Sequence, residues 1–274
     1  MNPRPPACEA RKIPVYSEFK EKLHSWMRDK KYSEAYVKDA ERYLSQYLNG
    51  KIITENSELR SVMAECRSNY IYTMVRVYLN FLEENELLSS EDADYFRKVI
   101  PTRKTAPDSF VPSDDKVREI YLKIDNETMK TAFLVLAMSG IRIMELVKMI
   151  TEFEAEKLIV DGNIAKFPMN YFRGHKKALY VYLPKETALS LKRADLNDDT
   201  ISHYFSELGL APKYLRKWQY NFLIYQGVPE GVADFIQGRS SESVGSMHYL
   251  SKVKQADYWY SKAVMKLVNR FRKV

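Results

Sequence analysis

Four cations stand in order along the C-terminal part of this 274-residue chain, and a tyrosine follows them. Arg142 lies in Ser139-Gly140-Ile141-Arg142-Ile143-Met144-Glu145-Leu146, Lys213 and Arg216 in Lys213-Tyr214-Leu215-Arg216, Arg239 directly after Gly238, and Tyr249 ten residues later. A phosphodiester under attack gathers charge on its non-bridging oxygens, and planar guanidinium forks meet two such oxygens at once. A phenol, with an ordinary pKa of about 10, is a weak nucleophile near neutrality. Neighbouring cations favour its phenolate and stabilise the charge that builds in the transition state. The set therefore fits strand cleavage through a phosphotyrosine.

Each piece also has a plain structural reading. Arg142 follows a tight Ser-Gly turn into a helix, where free N–H groups favour anions, and it can equally pair with Glu145 one turn on. The two roles are compatible. Lys213 and Arg216 share a helical face, although Lys217 beside them would also suit an ordinary basic helix start. One tyrosine among 20 means nothing by its position alone. The order and spacing carry the argument.

That order resembles the active-site pattern of the tyrosine recombinases, the phage integrase family, and is closest to the integrases of archaeal fuselloviruses and plasmids. The family's Gly-Leu-Arg-x-x-Glu-Leu box corresponds to Gly140-Ile141-Arg142-Ile143-Met144-Glu145-Leu146. Its His-x-x-Arg box corresponds to Lys213-Tyr214-Leu215-Arg216, and its Gly-His or Gly-Arg pair to Gly238-Arg239. Ile236-Gln237-Gly238-Arg239-Ser240-Ser241-Glu242 is similar to the family's Gly-His-Ser-Ser stretch. Lys213 and Arg239 depart from the commoner histidines, and the Lys-x-x-Arg variant narrows the resemblance to the fusellovirus type. Tyr249 then matches the nucleophile, whereas Tyr258 and Tyr260 are out of step.

The resemblance implies a lysine between the second and third strands that protonates the departing 5′-oxygen. The turn here is Arg173-Gly174-His175-Lys176-Lys177. Lys176 is the choice, with Arg173 and Lys177 as alternatives; an arginine, with a pKa above about 12, is a poor proton donor. The implied activity is site-specific DNA recombination or integration through a 3′-phosphotyrosyl intermediate. It implies double-stranded DNA as partner, a homotetramer on paired sites, action on DNA in the host cytoplasm, and neither cofactor nor metal. Alternatives are a DNA-relaxing enzyme of the type IB topoisomerase kind and a catalytically inactive DNA-binding relative. The implied fold is mainly α with a small antiparallel β-sheet, arranged as a helical core-binding domain and an α+β catalytic domain.

The remaining sequence must position these groups. Hydrophobic content of 45% and charged content of 29% are those of a folded chain. No apolar run reaches the length of about 18 residues needed to cross a membrane, and the N-terminus lacks a signal-peptide core. Cys8 and Cys66 have neither disulfide-framework nor metal spacing. The net charge is +7, of which residues 113–274 contribute +6. A basic C-terminal half suits a nucleic-acid partner.

Residues 1–100 read as an N-terminal helical domain. Expected helices begin at Tyr16, with Phe19, Leu23, Trp26 and Met27 in a stripe, and after Ser33 as N-cap; a long run covers Leu59–Leu82. Lys30, Lys31, Lys38 and Arg42 suit phosphate contacts or a solvated face equally. Residues 101–112, with three prolines, read as a linker. Residues 113–274 then read as helices around three short strands, with Asp161-Gly162 as a hairpin turn. Helices are expected at 114–124, 126–139, 142–150, 200–208, 213–226 and 230–236, with a tail helix from Gln255 to the end. Residues 250–274 carry seven Lys/Arg and one acid, and this tail would dock on a neighbouring subunit or cap its own domain.

Overall fold

A computed structural model describes residues 11–102, 108–173, 176–239 and 246–271; for 170–173, 176, 177 and 246–250 it describes the backbone alone. The chain divides into two compact units, Met1–Pro107 and Asp108–Val274.

The first unit is helical: α1 Tyr16–Asp29, α2 Glu34–Tyr47, α3 Asn56–Ala64, α4 Tyr70–Glu84 and α5 Ser90–Arg97. Ser33 Oγ accepts from Tyr36 N at the start of α2, as expected of that N-cap. Eight apolar residues of α4 are buried along one broad face, against which α1, α2 and α5 pack, while Thr73, Asn80 and Glu84 lie exposed on the other side. The single helix expected over Leu59–Leu82 is two. Cys66 Sγ donates to Ser68 O and Ser68 Oγ accepts from Tyr70 N, so local side-chain bonds compete with the helical ladder between Ala64 and Tyr70.

The second unit opens with α6 Asp114–Leu122, α7 Glu127–Ser139 and α8 Ile143–Thr151. Strands β1 Ile159–Asp161, β2 Ile164–Arg173 and β3 Lys176–Pro184 form an antiparallel sheet in that order. Asp161 pairs with Ile164 across the expected tight turn, where Gly162 has φ +56°. Then come α9 Lys185–Leu189, α10 Asp198–Glu207, α11 Pro212–Tyr225, α12 Glu230–Ile236 and α13 Ser246–Asn269. The mainly helical fold with a small antiparallel sheet is the one expected. Helix α7 is the central element, with Ala132, Phe133 and Val135–Ser139 all buried.

The tail helix differs from expectation in where it starts, and of the two placements expected for it, it takes the one on its own domain. It begins at Ser246 rather than Gln255, so Tyr249 lies in its first turn. Its apolar stripe also packs on its own unit: Ala256, Tyr260, Ala263, Val264 and Leu267 are buried in the same core as α7 and the sheet. Trp259 and Phe271 are half-buried, and Phe271 meets Tyr121, Phe133 and Trp218 edge-on. Each fully buried large side chain of this kind contributes about 1.5–3 kcal/mol. Lys166 on β2 adds a 2.7 Å ion pair to Asp257, whose other oxygen accepts from the Tyr182 hydroxyl of β3. Among the described residues, no helix is long and apolar enough to cross a membrane.

Candidate active site

The first arginine is placed by a glycine. Helix α7 ends at Gly140, whose φ is +65°, and a Cβ there would lie 2.3 Å from Gln237 Nε2 and 2.4 Å from Gln219 Oε1. Only glycine fits this left-handed, crowded turn. The chain then reverses so that Arg142 caps α8 in an extended conformation. Glu145, which is buried, accepts from Arg142 N at 2.7 Å and from Arg142 Nη1 at 2.7 Å. The sequence-level pairing of Arg142 with Glu145 is therefore present. The same Nη1 also donates to Gly238 O at 3.0 Å.

The second arginine comes from α11, which starts with Pro212 at its N-terminal position. Arg216 Nη1 donates to Gly140 O at 2.6 Å and Gln237 O at 2.9 Å. Its Nη2 is buried and has no hydrogen-bond partner among the described residues. Burial, followed by the repulsion of Arg142 and Arg239, pushes the Arg216 pKa down from the usual arginine range to about 9. A guanidinium under that pressure is a receptive site for an anion.

The third arginine follows α12. Gly238, with φ +65°, ends that helix, and Arg239 N bonds back to Asp234 O at 2.8 Å. The guanidinium of Arg239 lies 4.6 Å from the centroid of the Tyr220 ring, an aromatic face that holds the charge without neutralising it. Three arginines from three distant segments thus converge, joined by bonds to backbone carbonyls, and Arg142 is also ion-paired with Glu145.

Lys213 sits one turn before Arg216, but its ammonium is engaged elsewhere. It is exposed and bonds Asp108 Oδ2 at 3.0 Å, a bond that raises its pKa and holds the Asp108 carboxyl down at about 2. Lys217 also reaches Asp108, and Phe110 packs edge-on against Tyr214 with ring centroids 4.8 Å apart. Residues 108–110 of the expected linker are therefore tied to the first turn of α11.

For Lys176 and Tyr249 the backbone alone is described. Lys176 opens β3, paired with Arg173 at the end of β2, and Tyr249 is in the first turn of α13. Their side chains, those of Arg173 and Lys177, and residues 174–175 and 240–245 lie outside the described structure. The rival tyrosines are better defined. Tyr260 is wholly buried, donates to Met138 O at 2.9 Å, and burial raises its pKa far above the usual phenol. Tyr258 is exposed beside Lys262.

Sequence reasoning passed over Gln219 and Gln237, whose side chains are fully buried between the arginine-bearing segments. It also passed over Asp108, the partner of Lys213, and the Lys166–Asp257 pair that holds α13 to the sheet. A glutamine on an apolar helix face was the only available signal for the first two, and it is a weak one.

The model of a family described as archaeal phage integrase matches residues 109–266. No curated protein matches the sequence. Among solved structures the chain is similar to a lambda integrase(75-356) dimer bound to a COC′ core site, with a TM-score of 0.57 and 12% identity over 83% of this chain and 96% of that one. A second lambda integrase dimer bound to that site gives a TM-score of 0.56 at 11% identity, covering 88% of this chain and 77% of the other. A lambda integrase tetramer bound to a Holliday junction gives 0.53 at 12%, covering 84% and 79%. At such identities the likeness is one of fold.

Proposed function

The chain belongs to the archaeal phage integrase family, among the tyrosine recombinases, and from that premise we propose that it is a site-specific DNA recombinase. The observation that carries the reading is the convergence of Arg142, Arg216 and Arg239, with Arg216 Nη2 buried and unpaired among the described residues.

In this reading the three guanidiniums hold the scissile phosphate of double-stranded DNA. Arg142 and Arg216 hydrogen-bond its non-bridging oxygens, and Arg239 supports it from a third side. Tyr249 passes its phenolic proton to solvent water and attacks phosphorus, forming a 3′-phosphotyrosyl bond. The bond from phosphorus to the 5′-oxygen breaks, and Lys176 supplies the proton that turns that oxygen into a 5′-hydroxyl. The 5′-hydroxyl of a second strand then attacks the phosphotyrosine and releases Tyr249, which conserves the bond energy. Lys213 leaves Asp108 to join the phosphate when DNA arrives.

Residues 1–100 would be a DNA-contacting core-binding domain, residues 101–112 a linker, and exchange of two strand pairs would take a homotetramer on two sites. The crystallised lambda integrases on DNA, as dimers and a tetramer, support that assembly.

The experiment is strand exchange between two duplexes that carry the cognate site, run beside relaxation of a supercoiled plasmid without it. Joint molecules from the cognate pair are expected. Relaxation without exchange would instead mark a topoisomerase, and neither product would mark an inactive DNA-binding relative.

A further inference from the structure

The three arginines repel one another, and something must hold them together before DNA binds. Their own segments are laced by a pair of buried amides. Gln219, one turn after Arg216 on α11, donates from Nε2 to Met138 O at 3.3 Å, at the end of α7. Gln237, at the end of α12, donates from Nε2 to Arg216 O at 2.9 Å and to Gln219 Oε1. Arg216 returns the contact by donating to Gln237 O and Gly140 O. The turn before Arg142, the helix of Arg216 and the loop before Arg239 are therefore joined through these two side chains. The α13 helix enters the same hub, because Tyr260 donates to Met138 O as well.

Stability alone does not explain the pair. Both side chains are fully buried in an apolar core, and Gln237 Oε1 has no hydrogen-bond partner among the described residues. A buried amide that is incompletely paired costs free energy, and apolar side chains of similar shape are commonly as good or better for folding. We propose that Gln219 and Gln237 are positioning residues that hold Arg142, Arg216 and Arg239 in one phosphate-binding arrangement. This rests on the recombinase reading of the same site. The amides do not touch DNA; they act through Arg216, whose backbone oxygen Gln237 holds and whose guanidinium is gripped by the carbonyls the pair keeps in place.

The test uses the full chain with Gln237→Met and Gln219→Met, which keep volume and remove the amide. Strand cleavage is measured in single turnover with saturating enzyme, DNA affinity by gel shift, and melting by circular dichroism with and without inorganic phosphate. The proposal expects cleavage to fall by about ten- to a hundred-fold, the cost of a small misplacement of catalytic groups. DNA affinity and melting temperature without phosphate should hardly change, and the stabilisation by phosphate should shrink.

Combined with Arg216→Lys, Gln237→Met should add little further loss, because both act on one guanidinium. Where the wild type cleaves, unchanged cleavage in the variants, or an equal loss in the wild-type and Arg216→Lys backgrounds, overturns the proposal. So does loss of the cooperative melt in both variants, which would make the pair structural. The phosphate arm separates the two readings. A wild-type protein stabilised by phosphate through Gln237 but never cleaving DNA would refute the recombinase reading and leave the positioning role standing.

Discussion

Replacing Arg216 by lysine keeps the charge and removes the fork. In the structure one nitrogen, Nη1, is already committed to Gly140 O at 2.6 Å and Gln237 O at 2.9 Å, which leaves Nη2 for a phosphate oxygen. A lysine has a single nitrogen at the end of a flexible stem. It can hold the two carbonyls or follow the phosphate, but it does not reproduce both contacts in fixed directions. Losing one preorganised donor to transition-state charge costs about 3–4 kcal/mol, and at about 1.4 kcal/mol per factor of ten the cleavage rate falls roughly 10²–10³-fold. DNA affinity should change little, since the net charge is the same and affinity is summed over many phosphate contacts. The assay is single-turnover cleavage of a nicked suicide duplex, with the covalent product read on a denaturing gel. A rate within about a factor of ten of wild type, or an affinity loss as large as the rate loss, would show that Arg216 binds DNA without stabilising the transition state.

Other perturbations separate the parts of the account. Asp257→Ala strands the mostly buried Lys166 ammonium and should cost about 3 kcal/mol in thermal or urea unfolding; an unchanged midpoint would mean that the pair does not hold α13. The Arg216 pKa, about 9 in the folded protein and well below the usual arginine range, means that folding disfavours its charged form. Phosphate paired with that charge should therefore raise the melting temperature at neutral pH, and the gain should fade as pH rises through about 9 and Arg216 loses its proton. A phosphate effect that persists well above that pH would place the anion elsewhere. Asp108→Asn should lower the Lys213 pKa in an NMR titration and, by freeing Lys213 and Lys217, tighten DNA binding at low salt with a steeper salt dependence. Affinity that is unchanged at every salt concentration would show these lysines to be away from DNA.

Much of the fold was legible because its signals are local. Ser33 reads as an N-cap, Asp161-Gly162 as a hairpin turn and Gly140 as a helix end, and each reports a constraint that its own neighbours impose. The Arg142–Glu145 pair was legible for the same reason, as two residues one turn apart. What was hidden depends on distant chain segments. Nothing near Gln219 or Gln237 in sequence announces that they meet, and nothing near Lys213 announces Asp108, more than a hundred residues away. The break at Cys66–Asn69 escaped notice because Cys66 and Ser68 compete with a helix only when their side chains find backbone partners. The early start of α13 was missed because Tyr249 and its neighbours lack the apolar spacing that marks the part of the helix from Ala256 onward.

The central claim is that a tyrosine hydroxyl of this chain becomes joined to DNA beside the three arginines. The direct measurement is to trap the wild-type protein on a nicked suicide duplex, digest the adduct, and locate the nucleotide-bearing residue by mass spectrometry. The account predicts a 3′-phosphodiester on Tyr249, and no adduct from Tyr249→Phe although that variant still binds the duplex. An adduct on Tyr258, or cleavage that leaves no protein on the 3′ end, would contradict it.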